Sequence, residues 1–168
     1  MRGGLYTGDV KYRFLLNQMQ FEAKIFSNLS NIELFEIYRL RAEVFVVEQN
    51  CAYQDVDEKD LKSHHVLLKG QNQLLAYCRI LPPGLAYKEA AIGRVVVPLK
   101  ERKKGYAKEL MRWSIAFCKE NFPTQDLVIS AQTYLIKFYS DLNFVIEGPA
   151  YLEDNIPHQG MRLKHVGK

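Results

Sequence analysis

The sequence predicts a single mixed α/β domain, a central sheet flanked by helices, and three observations carry that prediction. Hydrophobic periodicity switches between two and 3.6 residues in the order strand, helix, three strands, helix, strand, helix, strand, strand. No repeat, linker or low-complexity tract interrupts that order. The length, 168 residues, suits one domain with a sizeable core.

Residues 1–18 stand apart, because Gly3, Gly4 and Gly8 interrupt any period there. They are read as an N-terminal extension or expression remnant, with Met19 a natural start and the domain spanning 19–168. From Gln20 the pattern is regular. Phe21, Ala23 and Ile25 alternate with polar partners, as in a half-buried strand. Ser30 or Asn31 caps a helix with Glu33 in its first turn. Ile32, Phe35, Ile37, Leu40, Val44, Phe45 and Val47 offer that helix apolar surface. Residues 50–62 are polar and acidic and read as a loop or short helix. Residues 64–69 and 74–81 are strands joined by the turn 70–73, and 90–97 is a third strand closed by Pro98. Ala107, Leu110, Met111, Ser114, Ile115 and Cys118 line one face of a helix over 105–121, which Pro123 stops. A buried-type strand at 127–131, a helix at 135–142 and strands at 145–147 and 160–163 complete the order.

Composition excludes several classes. With 48% hydrophobic and 25% charged residues the chain is globular rather than disordered. No apolar run approaches the roughly 20 residues of a membrane span. Residues 5–14 are broken by Gly8, Asp9, Lys11 and Arg13, so they do not read as a secretory leader; a cytoplasmic protein without membrane contact is expected. Cys51, Cys78 and Cys118 form no CxxC pair, which argues against a disulfide framework or a metal knuckle; Cys78 and Cys118 read as small core residues. A net charge of +4 favours an anionic ligand without arguing for nucleic acid.

The chemistry concentrates between the third strand and the long helix. Ile92-Gly93-Arg94-Val95-Val96-Val97 runs into Pro98-Leu99-Lys100-Glu101 and then Arg102-Lys103-Lys104-Gly105-Tyr106-Ala107. A strand feeding a glycine turn at a helix start exposes backbone N–H groups that lack intrahelical partners, at the positive end of the helix dipole. Gly105 lets an anion approach without meeting a Cβ, and Lys100, Arg102, Lys103 and Lys104 add charge. R-x-x-G-x-A alone is a common pattern, and an ordinary basic turn would share it. Further on, Ala131-Gln132-Thr133 ends a strand and Lys137-Phe138-Tyr139-Ser140-Asp141-Leu142-Asn143-Phe144 follows.

With both halves present in this order, the chain resembles the GNAT superfamily of N-acetyltransferases. In that family an R/Q-x-x-G-x-G/A loop holds a pyrophosphate and an F-Y-x-x-x-G-F helix end flanks a thioester. The match extends to the ElaA-type branch through Arg41-Ala42-Glu43-Val44-Phe45-Val46-Val47-Glu48-Gln49-Asn50-Cys51, Tyr53-Gln54-Asp55, Ile92-Gly93-Arg94-Val95 and Glu153-Asp154-Asn155-Ile156-Pro157-His158. The resemblance covers about residues 20–164. Asn143 and Asn155 stand where these proteins usually have glycine, and asparagine tolerates positive φ best among the alternatives.

The resemblance implies a twisted mixed sheet, splayed where acetyl-coenzyme A enters, and direct acetyl transfer to a primary amine of a small molecule or peptide. Val95, Val96 and Val97, residues 102–107, Gln132 and Phe138 are then expected to bind the cofactor, and Tyr139 to protonate the leaving thiolate. No metal is expected. Glu48, His65 and His158 are candidates for the acceptor site or the general base, while Asp55 or Asp57 could meet a cationic acceptor. His64 and His65 must point to opposite faces of their strand, so at most one of them can serve. No nucleic-acid partner is expected; related enzymes commonly pair as homodimers, and the sequence leaves the oligomeric state of this chain open. The alternative is a non-catalytic acyl-CoA-binding or sensing module on the same fold. The acceptor itself is not legible.

Overall fold

The computed structural model describes residues 19–71 and 73–165; the extension read at 1–18, Asn72 of the first hairpin turn and residues 166–168 lie outside them. Strand β1 (Met19–Ile25) leads through a 3-10 turn into helix α1 (Asn31–Arg41), which widens into a π-helical stretch, Ala42–Glu48. A loop and a 3-10 helix (Glu58–Lys62) precede β2 (His64–Gly70), β3 (Gln73–Leu81) and β4 (Ala90–Val96). Then come a 3-10 turn (Leu99–Glu101), α2 (Tyr106–Asn121), β5 (Leu127–Gln132) and α3 (Ile136–Ser140). Short strands β6 (Val145–Ile146) and β7 (Tyr151–Glu153) and the longer β8 (Ile156–Leu163) finish the fold.

The start of α1 is encoded locally. The Glu33 N–H donates to Ser30 Oγ at 3.2 Å, and the Ser30 N–H donates back to the Glu33 carboxylate at 2.9 Å, a reciprocal cap. The same carboxylate takes the ammonium groups of Lys24 and Lys69, which ties α1 to β1 and β2. The helix ends through bonds that reach back five residues, from the Gln49 N–H to Val44 O and from the Cys51 N–H to Val46 O. Asn50, at φ 49°, then turns the chain away.

The sheet order is β1-β2-β3-β4-β5-β8-β6, with β7 also on β8, and every pairing is antiparallel except β4 with β5. That parallel contact is confined to Ala90 opposite Leu127 and Ala91 opposite Val128. Beyond it the facing edges of β4 and β5 no longer pair, and a cleft opens in the middle of the sheet. Side-chain alternation gives each face its own core. Val66, Leu68, Ala76, Cys78, Ile80 and Ile92 pack under α2 and α3 with Leu110, Met111, Tyr139 and Phe144. Leu67, Tyr77 and Val96 point the other way, onto Ile37, Leu40 and Val44 of the first helical segment.

Several expectations need correction. Ile32, Phe35 and Val47 do not feed the core; they are exposed, because the buried stripe runs through Ile37, Leu40, Arg41 and Val44. Residues 50–62 are the loop and short helix expected, but two of their acidic residues, Asp55 and Asp60, are buried against arginines. Strand β7 was not foreseen, and β8 begins at Ile156 rather than 160. The short helix expected over 135–142 is present as α3, with a 3-10 turn, Thr133–Leu135, in front of it. Among the described residues no helix is long and apolar enough to cross a membrane.

Candidate active site

The cleft between β4 and β5 is a cavity of about 770 Å³. Val95, Val96 and Val97 form one wall; Arg102, Lys103, Gly105, Tyr106 and Ala107 close one end. Gln132, Phe138 and Tyr139 form the opposite wall. The two motif halves, far apart in sequence, therefore share one space. Lys104 is the exception within 102–107: it is outside the wall, and its Nζ pairs with Glu101 at 2.8 Å.

Gly105 is the residue before α2, at φ 87°, and no side chain caps the helix there. Lys103, at φ 64°, is left-handed too. The first-turn N–H groups of α2 consequently face the cavity end without a side-chain acceptor, where an anion can take them. Arg102 bridges this loop to the end of the π-helical stretch. Its Nη1 and Nη2 donate to the two oxygens of Glu48 at 2.7 and 2.6 Å, and its Nε donates to Val97 O at 3.2 Å. The guanidinium holds the Glu48 carboxyl below the usual carboxylate range. Glu48, a candidate base, is thus the counter-ion of Arg102 in this loop. Glu48→Gln should tighten acyl-CoA binding by roughly twofold to fivefold, the size expected of an exposed pair, and leave turnover intact. Titration of the variant checks this; weaker binding or lost turnover contradicts it.

Tyr139 is buried between Phe138 and Phe144, whose rings meet it edge-on at 5.0 and 6.1 Å between centroids. Burial pushes its phenol well above the ordinary value, so the proton stays on at neutral pH. The hydroxyl makes no hydrogen bond to another described residue, and the side chain lines the cavity. Gln132 Nε2 donates to Gln49 Oε1 at 3.2 Å, which joins the end of β5 to the end of the π-helical stretch.

The two histidine candidates separate. His65 is fully buried outside the cavity wall. Its Nε2–H donates to Asp60 O at 2.9 Å and its Nδ1 accepts from Tyr77 Oη at 2.8 Å. Burial pushes its pKa down, so it is a neutral structural bridge. His64 points the other way, with its ring edge on Phe117 at 5.3 Å. His158 is in the wall, opposite Gln132 in the β5–β8 register. A carbonyl can only accept, so the 2.8 Å contact between His158 Nδ1 and Ile156 O puts the ring hydrogen on Nδ1. The neutral imidazole then keeps a free lone pair on Nε2.

An ionic network that sequence reasoning missed supports β4. The wholly buried Arg41 guanidinium donates to Asp55 Oδ2 at 2.8 Å and to Asp60 Oδ1 at 2.7 Å. Arg79 reaches Asp57 at 2.6 Å and Asp60 at 2.9 Å, though its buried Nε has no partner. Asp55 also takes Arg94 Nε at 2.6 Å and the Tyr53 hydroxyl at 2.9 Å. Asp55 and Asp57 are therefore already spoken for by arginines, which corrects their assignment to a cationic acceptor. One extra residue sits on β4 where Gly93 pairs with Arg79 and Val96 with Tyr77. Arg94 lies in this bulge at φ 54°, a left-handed conformation that costs an arginine roughly 1–2 kcal/mol. The signal was present as paired Arg and Asp residues, but their partners are 14 to 39 positions apart. Among the described residues no His, Cys, Asp or Glu cluster could hold a metal ion.

Sequence and fold are shared with known proteins. The acetyltransferase (GNAT) domain family matches residues 33–165. A Schizosaccharomyces pombe protein is 43% identical over 151 residues, covering 89% of this chain and 99% of its own. Escherichia coli ElaA is 38% identical over 137 residues, covering 80% of this chain and 90% of its own. The crystal structure of E. coli ElaA superimposes with a TM-score of 0.81 over 87% of this chain and 99% of that one, at 34% identity. An acyl-CoA N-acyltransferase from Pseudomonas aeruginosa gives the same TM-score at 38% identity, over 86% of this chain and 98% of its own. Fold, cavity and relatives converge: the chain belongs to the GNAT acetyltransferase superfamily, alongside the ElaA proteins.

Proposed function

We propose that this GNAT protein is an N-acetyltransferase that moves acetyl from acetyl-CoA to a primary amine by direct attack, with Tyr139 as the proton donor. The observation that carries this reading is one cavity walled by both the Gly105 loop and Tyr139. The residues fit an acyl-CoA. Gly105 and the uncapped start of α2 suit a diphosphate, with Arg102 and Lys103 beside them. The unpaired edges of β4 and β5 offer amide and carbonyl groups to an extended pantetheine arm. Acetyl-CoA supplies the activated acyl group and the thiolate leaving group; the chain supplies position and protons.

The backbone at Val96 and Val97 meets the charge that develops on the carbonyl oxygen. Tyr139, kept protonated by burial, returns a proton to the departing sulfur. His158 Nε2 takes the amine proton, which makes it the general base in this reading. Thiol release from acetyl-CoA in the presence of an amine panel tests these roles. Tyr139→Phe should lower turnover about 100-fold and His158→Gln at least about tenfold, with acetyl-CoA affinity within about twofold in both. Turnover unchanged in Tyr139→Phe removes the tyrosine from the mechanism. Saturable binding without turnover of any amine by the native chain would favour the sensing-module alternative.

A further inference from the structure

The acceptor end of the cavity carries opposite charges on its two walls. On the β4 side, four cations (Arg41, Arg79, Arg94 and Lys59) face three carboxylates (Asp55, Asp57 and Asp60). The carboxylates are committed: both oxygens of Asp55 are taken by Arg41, Arg94 and Tyr53, and Asp57 and Asp60 by Arg79 and Arg41. The residual charge of this wall is therefore positive, and it sits on the two members that also line the cavity with a free edge. Arg94 spends Nε and Nη2 on Asp55, which leaves Nη1 without a partner among the described residues. Its guanidinium stacks over Phe45 at 5.9 Å and Tyr53 at 5.7 Å, so the fork is held rigid. Lys59 has only a 3.5 Å contact to Asp57. A left-handed backbone at Arg94 is retained at the expense of strain, and such outliers cluster where a side chain must be aimed.

The facing wall has the reverse character. Glu153 and Asp154, at the β7–β8 turn, line the cavity together with His158. Ser130 on β5 donates to Glu153 at 2.8 Å and receives the Tyr151 hydroxyl at 2.6 Å, which fixes the carboxylate toward the end of β5.

We infer that the acceptor is a small amino carboxylate, its carboxylate gripped by the free edge of Arg94 with Lys59 alongside, and its amine turned to the His158 and Glu153 wall. The inference rests on the transferase reading above and names the substrate class for that site. Arg94 is a specificity residue in it: it binds the non-reacting end of the acceptor and takes no part in proton transfer.

The test uses the full chain, acetyl-CoA and matched trios: each common amino acid, its carboxamide and its decarboxylated amine. Free thiol release is read as kcat and KM. Expected for the best trio is a kcat/KM for the carboxylate member roughly 10- to 100-fold above the other two, the range of a charged hydrogen-bonded contact. In Arg94→Gln this advantage should vanish through KM of the carboxylate member, with KM of the amide unmoved and a melting curve that stays cooperative. Should Arg94→Gln fail to fold, Lys59→Met gives the same selective rise in KM, smaller in size. Saturation-transfer NMR of the preferred amino acid with the CoA-loaded protein should show binding that Arg94→Gln loses. Equal or better use of the neutral amines by the native chain overturns the inference and leaves the transferase reading standing. Acetyl-CoA binding with no amine turned over at all overturns the transferase reading and this inference with it.

Discussion

Gly105→Val should reduce acyl-CoA affinity at least about 100-fold, a loss of about 2.7 kcal/mol, while leaving the sheet and both cores in place. Two effects act together. Gly105 sits at φ 87° immediately before α2, a conformation that a β-branched residue adopts only with strain. If the loop relaxes to relieve that strain, the first N–H groups of α2 leave their positions at the cavity end. If it does not relax, a branched Cβ occupies the approach that an oxygen of the diphosphate needs. Gly105→Ala isolates the milder part and should cost about tenfold or less, in keeping with a left-handed alanine. Calorimetric titration with acetyl-CoA reads both variants. The accompanying signature is thermal: ligand stabilisation of the native chain, which scales with the ratio of ligand concentration to Kd, should be absent in Gly105→Val.

The other large effect concerns stability. Arg41→Met should destabilise the fold by about 3–5 kcal/mol, because it takes the one wholly buried cation from between Asp55 and Asp60 and leaves the first with Arg94 and the second with Arg79 alone. For a chain of this size that corresponds to a fall in Tm of roughly 6–20 °C. Arg39→Met, two residues away, removes an exposed pair with Glu43 and an exposed contact over the Phe35 ring, and should stay within about 1 kcal/mol of the native chain. Differential scanning of the three proteins checks the contrast. Acid should act on the same network. Burial works to raise the Asp60 carboxyl, but the hydrogen bond and charge of Arg41, followed by Arg79, outweigh it and hold it below the ordinary value. A carboxyl depressed in the folded state contributes stability above its unfolded pKa, near 3.9, and that contribution is lost as pH falls through the folded value. Unfolding below about pH 4 should therefore be steeper in the native chain than in Arg41→Met, where only Arg79 is left to hold the Asp60 carboxyl down.

How far the fold could be read depended on how local its signals were. The cap at Ser30 and Glu33, the hairpin of β2 and β3 and the helical face of α2 are short-range patterns, and each is found where its residues indicate. The positive φ expected at Asn143 and Asn155 is present, at 68° and 62°. The unforeseen elements have non-local causes. Arg41 occupies an apolar stripe only because Asp55 and Asp60 return from a later loop to meet it, and no periodicity shows that. Strand β7 exists because Asp154 and Asn155, both left-handed, fold it back onto β8, while Pro157 within β8 disguised that strand. The cavity followed the same rule. Its loop and its tyrosine were legible as motifs, whereas the Glu48–Arg102 clasp and the Arg94 bulge depend on contacts between distant segments.

The central claim is that the cleft between β4 and β5 is an acyl-CoA site, and titration of acetyl-CoA into the full chain by calorimetry tests it most directly. One saturable site is expected, with a Kd of about 1–100 μM, in the usual range for enzyme substrates, that weakens steeply in Gly105→Val. Heats that never saturate, or a native-like isotherm in Gly105→Val, contradict it.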